Sequence, residues 1–143
     1  MKFLKVSILV LVATVAFTSC KKVEKILPKK DGMWNTTASH LWVEIDDSVW
    51  IDMDVADSLL GSSHFIDDGT MHSYDNDGTV IDTATWEADN ETITINAATP
   101  ADSMVLNITE FTKSTMSTSW SNTDTTGGVT TKTISTGSME RAE

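Results

Sequence analysis

Turn-forming clusters punctuate the chain from Gly32 onward, and the segments between them alternate in the manner of strands. Asp67-Asp68-Gly69, Asp75-Asn76-Asp77-Gly78, Ala88-Asp89-Asn90 and Thr126-Gly127-Gly128 each supply residues that tolerate a positive φ, as tight hairpins require. Between them lie short alternating segments rich in Thr, Val, Ile and Trp, and no apolar recurrence at helical spacing lasts beyond about two turns. The spacing predicts strands near Met33 to Ile45, Ser48 to Val55, Ser63 to Ile66, Thr70 to Tyr74, Thr79 to Glu87, Glu91 to Asn96, Ser103 to Thr109, Ser114 to Ser121 and Val129 to Ser138. Only Ala56 to Gly61 suits a helical turn. Consecutive strands joined by such short links must pair antiparallel. The fold expected is therefore all-β, an antiparallel meander of eight or nine strands that removes its edges by closing into a small barrel.

Alternation assigns faces, because successive side chains of a strand point to opposite sides. Ile93 with Ile95, Met104 with Leu106 and Ile108, and Met116 with Thr118 and Trp120 each share one face and are expected to meet the core. Gly32-Met33-Trp34, opening the first strand, is similar to the G-x-W start of lipocalins. Phe65-Ile66-Asp67-Asp68-Gly69-Thr70, then Thr85-Trp86 with Asp89, Asn90 and Thr92-Ile93-Thr94-Ile95, then Ile108-Thr109-Glu110-Phe111 and Thr115-Met116, resemble the order of signatures in lipocalin-like domains of Bacteroidetes lipoproteins. The resemblance spans about Gly32 to Arg141. It departs from the pattern at Ala84, where a Gly is usual, and over Asp46 to Ser62. It implies a small calyx or closed barrel with Trp34 plugging one end.

The first thirty residues read as an address and a tether. Lys2 and Lys5 precede an almost wholly apolar run from Val6 to Phe17, too short to span a bilayer and of the length of a signal-peptide core. The chain's only cysteine, Cys20, follows the small residues Thr18 and Ser19, and a single cysteine forms no internal disulfide. Phe17-Thr18-Ser19-Cys20 resembles a loose form of the bacterial lipobox, which implies lipidation of Cys20 and attachment to the membrane through its acyl chains. Residues 1–19 are then a signal peptide, 20–30 a lipidated cysteine with a basic tether, and 31–143 the barrel domain. Lys21-Lys22-Val23-Glu24-Lys25 lacks both an inner-membrane retention signal and the acidic cluster of surface-exported lipoproteins. The expectation is an outer-membrane lipoprotein, with the periplasmic face favoured over the cell surface.

Charge narrows the partners. The formal net charge is −11, and from Asp31 onward only Lys113, Lys132 and Arg141 oppose 20 acidic residues. Such a surface repels phosphate backbones, so nucleic acid is excluded as a partner while a basic protein fits. Catalytic and metal motifs are missing. Gly61-Ser62-Ser63-His64 is no nucleophile elbow, the Asp75 to Gly78 cluster lacks the first acid and the bidentate Glu of a calcium loop, and no pair among so many carboxylates stands out. His64 and His72 become cross-strand neighbours if the intervening turn has three residues with Gly69 left-handed, and fall out of register if it has two. Even the first arrangement supplies two ligands where zinc needs three or four. No enzyme, metal or cofactor is expected. Five Trp with seven Met suit either a packed core or an apolar cavity. The reading is a non-enzymatic barrel binding a small apolar or amphipathic ligand, with Trp42, Met104, Met116 and Trp120 as lining residues. Its alternative is an acidic protein-interaction module, such as an inhibitor or envelope assembly partner, without a ligand cavity.

Overall fold

The computed structural model describes residues 22–143. The expected signal peptide, residues 1–19, and Cys20 lie outside the described residues. A short helix α1 (Lys22–Ile26) leads into nine strands: β1 (Met33–Ile45), β2 (Ser48–Asp54), β3 (Ser62–Phe65), β4 (Thr70–Tyr74), β5 (Val80–Ala88), β6 (Thr92–Asn96), β7 (Met104–Phe111), β8 (Thr115–Thr126) and β9 (Val129–Arg141). Single 3-10 turns stand at Lys30–Gly32, Asp57–Leu59 and Pro100–Asp102. No described helix is long and apolar enough to cross a membrane.

Every pairing is antiparallel, in the order β2-β1-β3-β4-β5-β6-β7-β8-β9, and β1 also pairs with β9. That last pairing closes eight strands into a barrel and leaves β2 as an extra strand. The predicted all-β meander is thus the fold, because each short link carries the turn chemistry that an antiparallel hairpin needs. Asp75 illustrates it: one carboxylate oxygen accepts from the backbone N–H groups of Asp77 at 3.0 Å and Thr79 at 2.8 Å, and Gly78 takes φ +79°. The 66–70 turn has three residues with Gly69 at φ +85°, which pairs His64 with His72.

The core sits at one end, the base. Trp34, Phe65, Met71, Ala84, Trp86, Ile93, Ile95 and Met116 pack there, with Leu106, Ile108, Phe111 and Met139 against them. Phe65 meets Trp86 edge to face at 5.3 Å, a favourable geometry for two aromatic rings. Both buried indoles satisfy their N–H groups on backbone carbonyls, Trp34 on Leu27 at 2.9 Å and Trp86 on Ile66 at 3.0 Å. Trp34 is fully buried in the base, and the Arg141 guanidinium lies 4.5 Å over its ring.

The base holds one element that the basic tether conceals. Val23 and Leu27, four residues apart, are buried at 3% and 0% exposure and belong to the core. The packed unit therefore begins at α1 rather than at Asp31. Arg141 fastens this helix from the last strand, its guanidinium donating to the carbonyls of Ile26 and Lys29 while Nε donates to that of Lys113.

Candidate functional site

The strands differ in length, and that difference builds the upper half of the molecule. Pairing of β7 with β8 ends at Asn107 and Ser119, and pairing of β1 with β3 ends at Asn35 and Ser62. Beyond those points β8 and β9 stay paired to Thr126 and Val129, β9 and β1 to Thr131 and Ile45, and β1 and β2 to Ile45 and Ser48. A four-stranded sheet, β2-β1-β9-β8, consequently stands above the barrel mouth without support from β4 to β7.

Register fixes the faces of this sheet. Met116 and Met139 pair and pack in the core, so the residues that alternate with them face inward: Thr118, Trp120 and Asn122 on β8, Gly137, Ser135 and Thr133 on β9. A bulge at Thr37 resets β1, after which Ser39, Leu41, Val43 and Ile45 share that inner face. Met53 and Ile51 of β2, partners of Leu41 and Val43, extend it. The inner wall is apolar from Leu41 to Ile45, whereas the lumen beneath it carries the small polar side chains of Thr36, Ser63, Ser73 and Thr118.

Where β8 parts from β7, the wall opens into a cleft of about 330 Å³ that Met104, Val105, Trp120 and Asn122 line with the 94–103 segment. The structure thus brings together two of the four expected ligand residues, Met104 and Trp120. Met116 is 1% exposed in the base core, because the first residues of β8 lie at the closed end. Trp42 pairs with Ile134 on the outer face, where the Lys132 ammonium lies 5.5 Å from its ring. Cys20 is outside the described residues. Leu41, across Ser135 from Trp120, is the inner-face residue that alternation along β1 alone could not reveal, because the Thr37 bulge shifts the phase.

The outer face is acidic. His40 sits between two β2 carboxylates, Nδ1 at 2.8 Å from Asp54 and Nε2 at 3.0 Å from Asp52. Hydrogen bonding to Asp54, opposed by partial desolvation and reinforced by Asp52, raises its pKa above the ordinary 6.5. A second cleft, of about 360 Å³, borders this group around the Thr37 bulge and is lined largely by Thr, Ser and Asp. Elsewhere Asp68 is held below the usual carboxylate range by its hydrogen bonds to Thr70, and Asp89 by those to Glu91 and Thr92. Both act as turn caps. His64 and His72 stand edge to face at 6.3 Å, and no group of three His, Cys, Asp or Glu side chains among the described residues is placed to hold a metal ion.

No protein-family model, curated protein or solved structure matches this chain.

Proposed function

We propose that the chain is a membrane-anchored, lipocalin-like lipoprotein whose barrel mouth binds a small apolar or amphipathic ligand. The shared cleft of Met104 and Trp120 carries this reading. An aromatic and a thioether side chain, with Val105 beside them at the rim of the opening, provide an adaptable apolar contact. The apolar inner wall of Leu41, Val43 and Ile45 continues above it, long enough for an acyl-like chain to lie along the sheet with its polar head toward Asn122. The packed base leaves the ligand no place at the Trp34 end. Anchoring through Cys20 and the periplasmic face of the outer membrane rest on the leader and on the lysines that follow it.

Titration of the protein with a fluorescent long-chain fatty acid tests the ligand reading. Truncating a large apolar contact costs about 1–2 kcal/mol, so Trp120→Ala and Met104→Ala should each weaken binding roughly 5- to 30-fold. Trp42→Ala, on the opposite face, should leave it within about twofold. No saturable binding to fatty acids or lysophospholipids, or equal loss in all three variants, would overturn the proposal.

A further inference from the structure

All but one of the large exposed apolar side chains of the upper sheet, Val129 on β9 being the exception, lie on one strand. Val49, Trp50, Ile51 and Met53 of β2 are 57%, 69%, 38% and 52% exposed, and β2 pairs with β1 alone. Its far edge is free because β4, the strand beyond β3, ends at Tyr74 opposite Ser62, below the level of β2. A free, apolar strand edge is a template for another strand.

The edge is also chemically sorted. The Val55 N–H donates to the Ser39 carbonyl at 2.8 Å. Alternation along an antiparallel ladder then turns the N–H and C=O of Met53 and Ile51 toward β1, and those of Asp54 and Asp52 outward. The two residues whose backbone is available therefore carry the two carboxylates. His40 engages Oδ1 of each carboxylate, leaving both Oδ2 atoms for a further cation. Ile51 and Met53 present the opposite, apolar face.

We infer that β2 docks an extended segment of a partner protein in which basic and apolar residues alternate, adding it as an antiparallel fifth strand. Opposite Asp52 and Asp54, two Lys or Arg residues spaced two apart complete both the ladder and the charge pairing. The residue between them packs on Met53. A second copy of this chain is a poor occupant, because β2 against β2 sets Asp52 and Asp54 of both copies side by side. The other free edge, β8 from Ser121 to Thr126, is entirely polar and lacks the apolar face.

The test uses the full lipidated protein in detergent micelles and a synthetic heptapeptide of alternating lysine and valine. N-methylation of the lysine residues removes the N–H groups that face β2, and N-methylation of the valines removes those that face away. Binding should weaken at least about tenfold with the first modification and change less than about twofold with the second. Asp52→Asn combined with Asp54→Asn, and separately Met53→Ser, should each weaken it by about tenfold. Trp120→Ala should leave it unchanged, which separates this edge from the ligand cleft. The inference is overturned if the peptide does not bind, if a lysine–serine peptide binds equally well, if methylation of the lysines has no effect, or if β2 instead joins two copies of the protein.

Discussion

At the scale of single residues, some positions admit one amino acid for reasons the fold makes explicit. Gly32 holds φ +65° with Phe65 O only 2.0 Å from where a Cβ would stand, so any side chain would push β1 away from the end of β3. Gly69, at φ +85°, sets the three-residue turn and so decides between the two registers the sequence allowed, pairing His64 with His72. Depth was less legible. Alternation places Met116 and Trp120 on one face, yet they lie at opposite heights, one in the base core and the other at the rim, and only the closed strand order shows which end is packed. His40 yields a pH prediction. Its folded-state pKa is raised, so the support it lends β2 is complete below the unfolded value near 6.5 and is lost as pH rises through the folded value. Exchange of the Met53 amide, corrected for intrinsic rate, should accelerate across that interval. The step should vanish in His40→Gln.

Among the elements, α1 and the upper part of β8 were hidden in the sequence for different reasons. At α1 the burying residues, Val23 within the helix and Leu27 just after it, stand among lysines that dominate any composition window, and their four-residue spacing is the only signal. In β8 the segment after Ser121 is polar, so it reads as loop. It nonetheless stays paired with β9 to Thr126, because threonine suits extended backbone and the hairpin at Gly127 and Gly128 holds the register. Leu27 is fully buried beneath Trp34, and truncating such a side chain costs about 2–5 kcal/mol. Leu27→Ala should lower the urea midpoint accordingly. Lys25→Ala, at the surface of the same turn, should change stability by less than about 0.5 kcal/mol.

For the whole molecule, the two ends have different chemistry: a plugged base reached by the N-terminal helix, and a projecting sheet with an apolar inner wall and an acidic outer face. If Cys20 carries the acyl chains, only two residues separate it from buried Val23, so the base is held against the bilayer and the sheet points away. A 13-residue strand spans about 40 Å, enough to lift the rim well clear of the headgroups. Replacing Cys20 with Ser should release the protein from the membrane fraction and remove the acyl mass, while the urea midpoint of the barrel stays the same. Membrane fractionation that persists without acylation would refute the anchor. The seam between β1 and β9, which joins Trp34 to Arg141, also dictates the order of events in biosynthesis. The first strand cannot acquire its closing neighbour until β9 has emerged, and pairing across so long a loop is slow. If the leader acts as a signal peptide, a chain threading through a translocon has no finished barrel to unravel, and the topology that seals the wall keeps the chain exportable.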